Sequence, residues 1–105
     1  MKKEKIWTDE EFYKVPLHRR AGCFQFKFCK KWFVNGKLHR LYEPAIEYNN
    51  GTKFWYKEGK LHRLDGPAYS NASGTNYWFI EGKEYTEEEF NKISFAILNG
   101  LEIFL

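Results

Sequence analysis

Trp55–Tyr77 reads WYKEGKLHRLDGPAYSNASGTNY, and the stretch directly before it, Trp32–Phe54, reads WFVNGKLHRLYEPAIEYNNGTKF. A third copy opens at Trp78 as WFIEGKEY and breaks off. Trp32, Trp55 and Trp78 stand 23 positions apart. A fixed period of this length marks an architecture made by stacking one supersecondary unit on the next. Within a unit, Trp32-Phe33-Val34 opens a strand. Asn35-Gly36 then signals a two-residue hairpin, whose turn needs residues that tolerate positive φ, and Lys37–Leu41 returns. Pro44 lacks a ladder donor and belongs at a strand start or edge. Ala45–Tyr48 is the next strand and Asn49–Thr52 the next turn. The second unit repeats this with turns at Glu58-Gly59 and Ser73-Gly74.

The flanks of the array match each other. Trp7–Lys14 (WTDEEFYK) and Tyr85–Lys92 (YTEEEFNK) both begin as capped helices. Thr8 and Thr86 are placed to accept from the first turn, Glu11 and Glu89 to reach back to the cap, and the acidic run suits the positive end of the helix dipole. Val15-Pro16 ends the first helix. The second is expected over Glu87–Leu98, with Phe90, Ile93 and Ile97 on one stripe and Asn99-Gly100 as its stop. Stacked units need lids at their ends. The expected fold is therefore mainly β with α caps: a twisted antiparallel β-meander of 23-residue repeats with a short N-terminal helix and a C-terminal helix. It forms a single domain over 1–105, comprising a helical cap (1–16), a repeat sheet (17–85) and a helix with its tail (86–105).

A degenerate unit precedes the full ones. Leu17-His18-Arg19 matches Leu38-His39-Arg40 and Leu61-His62-Arg63. Phe24, Phe26 and Phe28 alternate within CFQFKFC, which predicts one long, straight strand with the three rings on one face. In such a strand Cys23 and Cys29 would lie roughly 20 Å apart, beyond the about 7 Å that a disulfide spans, and they could meet only if the chain turns near Lys27. Two free thiols fit a reducing cytoplasm.

Composition sets limits on function. Aromatics make up 20% of the 105 residues, far too many for a disordered chain and enough for a core built of rings. A net charge of +3 is too small to argue for nucleic acid by itself. The start MKKEKIWTDEEF carries no signal-peptide apolar run, and the apolar runs of the tail fall short of a membrane span. A cytoplasmic protein with no membrane contact is expected.

WFVNGKLHR, LDGPA and EYNNGTKFW together resemble the MORN-like repeats of small proteins of tailed bacteriophages, and Glu81–Phe90 resembles the segment that closes such arrays. The likeness runs from about Leu17 to Lys92. It departs at Tyr42-Glu43, which replaces Asp-Gly, and in the Phe-rich segment Cys23–Lys31. The resemblance implies a twisted antiparallel sheet and a phage setting inside an infected bacterial cell. It implies no reaction.

His18, His39 and His62 invite a metal reading, but equivalent positions in successive two-strand units lie about 10 Å apart, whereas one zinc ion needs nitrogens within about 2.1 Å. The expectation is instead that each His and Arg bonds the turn of a neighbouring unit, with Glu43 or Asp65 as partner. Arg19, Arg40 and Arg63, with Lys37 and Lys60, form a row that single-stranded nucleic acid or a nucleotide would suit. Trp32, Trp55 and Trp78 alternate with Phe33, Tyr56 and Phe79, so the two rows face opposite ways. One sheet layer cannot bury both, and an exposed aromatic patch marks an interaction site. The residues expected to bind are Phe33, Tyr56, Phe79, Arg40 and Arg63. No catalytic motif, metal site or cofactor motif is present. The reading is a non-enzymatic protein-binding module. In the phage setting this becomes an inhibitor of a bacterial defence protein, of anti-CRISPR type, acting by steric occlusion. The alternative is nucleic-acid or nucleotide binding through the Arg/Lys row and the aromatic face. A homodimer through Leu101–Leu105 is a further expectation.

Overall fold

The structure, a computed structural model, describes residues 4–101. Thr8 and Thr86 each close a complete capping box with Glu11 and Glu89, and the helices that follow are α1 (Asp9–Tyr13) and α2 (Glu87–Leu98). One short strand precedes α1, β1 (Ile6–Trp7), and ten run between the helices: β2 (Gly22–Phe26), β3 (Cys29–Val34), β4 (Lys37–Leu38), β5 (Ile46–Tyr48), β6 (Lys53–Phe54), β7 (Tyr56–Lys57), β8 (Lys60–Leu61), β9 (Tyr69–Ser70), β10 (Asn76–Ile80) and β11 (Lys83–Tyr85). The main sheet runs β1-β2-β3-β5-β6-β9-β10-β11, with β4 joined to β3, while β7 and β8 pair as a separate hairpin. All pairings are antiparallel except β1 with β2, which is parallel. The mainly β meander with two helical caps is thus the observed architecture, with one parallel strand added at its edge.

The three WxxxGK hairpins are alike to within a few degrees. Asn35, Glu58 and Glu81 take φ +49, and the glycine after each takes φ +79 to +83. Positive φ at both central positions is the turn that follows the strands' own twist. Each hairpin hangs on the unit before it. The Gly59 N–H donates to the Leu38 carbonyl and the Gly82 N–H to the Leu61 carbonyl, both at 2.8 Å.

The degenerate unit differs from expectation in two ways. Leu17–Arg19 is a 3-10 turn, not a return strand. Gly36 N–H finds the carbonyl of Arg20 instead, and Leu17 sits so close to Gly36 that an added Cβ there would meet it at 3.0 Å. Cys23–Lys31 is a hairpin, not one straight strand, and it turns at Lys27-Phe28. Asn49 holds that turn from 22 positions away, its N–H donating to the Phe28 carbonyl and its side-chain amide to that of Lys27. Phe28 is consequently 64% exposed instead of in line with Phe24 and Phe26. Cys23 and Cys29 lie on opposite faces, opposite Trp32 and Tyr48 respectively, and both are free.

Strand alternation sorts the rings into two faces. Phe24, Cys29, Phe33, Ile46, Phe54, Tyr69, Tyr77 and Phe79 share one, through the registers Phe33–Leu38, Ile46–Phe54, Phe54–Tyr69 and Tyr69–Tyr77. Trp32, Trp55, Trp78 and Ile80 share the other. α1 covers the first face at the N-terminal end, where Phe12 packs on Phe24, Phe26 and Phe33 at 4.7–5.5 Å between ring centres. α2 covers the second face at the C-terminal end, where Phe90 and Ile93 join Trp78, Ile80 and Tyr85. The caps therefore lie on opposite faces at opposite ends, and among the described residues each face is half bare.

Candidate binding surfaces

On the tryptophan face each full unit builds the same side-chain device. The guanidinium carbon of Arg40 lies 3.7 Å from the centre of the Trp32 ring, and that of Arg63 lies 3.9 Å from Trp55. Arg40 also donates to the carboxylates of Glu43 (2.6 Å) and Glu47 (3.3 Å) and to the Pro44 carbonyl. Arg63 donates to Asp65 at 2.8 Å and to the Pro67 carbonyl at 3.1 Å. A guanidinium stacked on a ring and bonded to carboxylate and carbonyl has few donors left for a phosphate. The co-recurrence of Arg eight positions after Trp in both units was the available signal for this stacking, and Trp78 has no such Arg because α2 takes its place.

The histidines serve the neighbouring turns. His39 Nδ1 accepts the Glu58 N–H at 3.0 Å, and His62 Nδ1 accepts the Glu81 N–H at 2.9 Å. Burial pushes the His62 pKa down, with the Glu81 carboxylate opposing and Lys57 assisting, so the neutral acceptor form prevails at neutral pH. Among the described residues no group of His, Cys, Asp or Glu could hold a metal ion.

The two units part company at one corner. Gly66 leaves room for Arg63, whose guanidinium carbon would stand 2.8 Å from any Cβ placed there. The first unit has Glu43 at that position, and its backbone answers by putting Tyr42 at φ +66. Tyr42 is 97% exposed as a result. Beside it runs a groove of about 340 Å³, lined by Leu41, Tyr42, Trp55, Leu64 and Leu98 and edged by Arg40, Lys57 and Arg63.

Of the residues expected to bind, Phe33 is corrected outright. It is 7% exposed, closed over by Phe12, and offers nothing to a partner. Tyr56 and Phe79 are half-buried; Tyr56 packs at the edge of the cluster that Phe12 closes, and Phe79 lies further along the face. Arg40 and Arg63 edge the groove but are engaged as described. The expectation missed Tyr48, Tyr69 and Tyr77, which continue the row. Ring centres step from Tyr48 to Phe54 (6.1 Å), Phe54 to Tyr69 (4.9 Å) and Tyr69 to Tyr77 (5.4 Å). Burial holds the Tyr48 and Tyr56 phenols above their ordinary pKa, so they stay neutral. Tyr48 also lines a 630 Å³ depression with Trp7, Phe26, Phe28 and Cys29, which extends the aromatic face towards α1.

Residues 102–105 of the tail lie outside the described residues. Among the described residues no helix is long and apolar enough to cross a membrane. No model of a protein family, no curated protein and no solved structure matches the chain. The repeat resemblance rests on the residues of the units themselves.

Proposed function

We propose that the chain is a non-catalytic binding module whose partner is another protein, held on the bare half of the phenylalanine–tyrosine face. The observation that carries this reading is the row Tyr48, Phe54, Tyr69, Tyr77 and Phe79, which the chain builds on a continuous sheet and which no helix covers among the described residues. Tyrosine supplies large contact area at low entropic cost and is enriched at protein interfaces. The strand positions of this bare half carry Glu84 opposite Phe79, and Lys31 lies beside Tyr48 on the same face, too few cations for the run of contacts a phosphate backbone makes. The engagement of Arg40 and Arg63 likewise favours a protein partner over the nucleic-acid or nucleotide reading. In the phage setting implied by the repeat resemblance, the partner would be a bacterial defence protein in the host cytoplasm, blocked by occlusion.

Capture from a bacterial lysate tests the reading. The chain should retain a host protein, and Tyr77→Glu and Tyr48→Glu should lose it without unfolding, because both rings are already solvent-exposed. A chain that retains no protein but binds labelled single-stranded DNA, with an affinity that falls steeply with salt, would sink the proposal.

A further inference from the structure

The depression beside α1 is built mostly outside the full repeat units. Trp7 and Asp9 belong to the N-terminal cap, Lys27, Phe28 and Lys31 to the hairpin that departs from the repeat, and Tyr48 alone to a full unit. Its floor is closed, with Phe26 and Cys29 at 6% and 5% exposure, while Phe28 stands out in water. Asn49 pins the Lys27-Phe28 turn through its two hydrogen bonds, so the exposed ring is carried on a fixed backbone. A ring presented in this way loses little freedom when a partner covers it.

Charge is divided across the depression. Lys27 and Lys31 reach it from the hairpin, and Asp9 reaches it from the start of α1. The ammonium of Lys27 lies 5.2 Å from the centre of the Phe28 ring, and that of Lys31 lies 4.9 Å from Phe26. Burial raises the pKa of the Cys29 thiol, Lys31 lowers it and Asp9 raises it, so both of these charges face the floor. Among the described residues none of the three enters an ion pair, whereas Arg40, Arg63 and Lys57 at the other groove all do. Glu4 and Lys5 line a separate hollow with Cys23 and Lys30, and α2 packs at the other end of the sheet.

These features select an occupant. An anion by itself would meet Asp9, and a cation by itself would meet two lysines. A chain segment that carries both signs about an apolar residue satisfies all three charges and fills the hollow between them. The volume of about 630 Å³ lies in the range that takes up a drug-sized molecule, which is several residues of extended chain and not one side chain. The depression also meets the aromatic row at Tyr48.

We infer that this depression is the specificity pocket of the protein-binding face. It takes an extended segment of the partner with a ring-bearing residue at its centre, acidic residues towards Lys27 and Lys31, and a basic residue towards Asp9. The ring packs among Trp7, Phe28 and Tyr48. This rests on the protein-binding reading above and adds the chemistry of what is bound.

Blocked peptides KFEE and EEFK present the pattern in both chain directions, and nuclear magnetic resonance titration of the full chain tests them. One of the two should shift the Trp7 indole and the Lys27–Lys31 amides. Replacing its Phe by Ala, or its acidic residues by Lys, should weaken binding about tenfold or more, equivalent to about 1.4 kcal/mol. The double variant Lys27→Glu, Lys31→Glu should prefer KFKK to KFEE, a gain that misfolding cannot mimic. Binding of neither peptide, equal binding of KFKK by the wild type, or shifts confined to Tyr69 and Tyr77 would overturn the inference. Stronger shifts of the same signals by AMP would overturn it in favour of a phosphate ligand. Lysate capture separates it from the parent reading. A host protein kept by the double variant but lost by Tyr77→Glu retains the face and removes the pocket. A wild type that keeps no host protein removes the reading of the face, and the peptide titration still judges the pocket.

Discussion

The units Trp32–Phe54 and Trp55–Tyr77 put the same residue types at the same backbone positions and leave them in different surroundings. Phe33 is sealed beneath α1 by Phe12, while its counterpart Tyr56 is half-buried at the edge of the same cluster, 6.4 Å from Phe54. Arg40 and Arg63 stack on their tryptophans alike, yet the corner beyond them is relaxed at Asp65-Gly66 and strained at Tyr42-Glu43. The repeat sets strand, turn and register. What covers a given ring is decided by elements outside the repeat, and so are the surfaces left for partners.

The sharpest way to break this comparison is to empty both positions. Phe33→Ala should cost about 3–5 kcal/mol, as for a well-packed core ring, and Tyr56→Ala about 1–2 kcal/mol, in proportion to its smaller burial. Urea denaturation of the two variants would measure both, and equal costs would mean that α1 contributes no burial. The corner should respond next. Gly66→Ala drives a Cβ to 2.8 Å from the Arg63 guanidinium and should cost about 1–3 kcal/mol through displacement of that packed group. Tyr42→Gly relieves a left-handed residue and should gain about 1 kcal/mol. Thermal melts in dilute solution would show the opposite signs.

The smallest effect concerns the turns. His62→Ala removes the acceptor of the Glu81 N–H and should cost about 1 kcal/mol, and His39→Ala should cost the same through Glu58. For His62 the folded pKa lies below the 6.5 of the free side chain, so the unfolded chain takes up the proton first as pH falls. Its contribution is complete above pH 6.5 and is lost as the pH drops from there through the folded value. Denaturation midpoints at pH 7.5 and pH 5.5 should therefore differ more in the wild type than in His62→Ala.

What could be seen in the residues was what short-range chemistry decides. The hairpins at Asn35-Gly36 and Glu58-Gly59, both capping boxes and the span Glu87–Leu98 all follow from residues within four positions of one another. The bonds of His39 and His62 to the next turn were legible too, because the period carries them from unit to unit. So were the partners Glu43 and Asp65, but Arg40 and Arg63 reach them within their own units and not across to a neighbour's turn. The misread parts depend on distant groups. Asn49 folds the Lys27-Phe28 turn, Phe12 buries Phe33, and Ile6-Trp7 enters the sheet in parallel beside Gln25-Phe26. No window of sequence around Phe33 distinguishes it from Tyr56 or Phe79. The row through Tyr48, Tyr69 and Tyr77 emerged only once strand order had set Tyr69 next to Phe54.

The hanging of each hairpin on the unit before it gives the array a direction. The His39 ring and the Leu38 carbonyl wait for Glu58 and Gly59, and the His62 ring and the Leu61 carbonyl wait for Glu81 and Gly82. A chain leaving the ribosome can lock each joint as soon as the next turn emerges. Excision of Trp55–Tyr77 as a block would bring Trp78 directly after Phe54, in the register Trp55 held, with Glu81 presented to His39 where Glu58 had been. Such a joint lets lineages lengthen or shorten the array by whole units while the two helical ends, and the surfaces they leave bare, stay as they are.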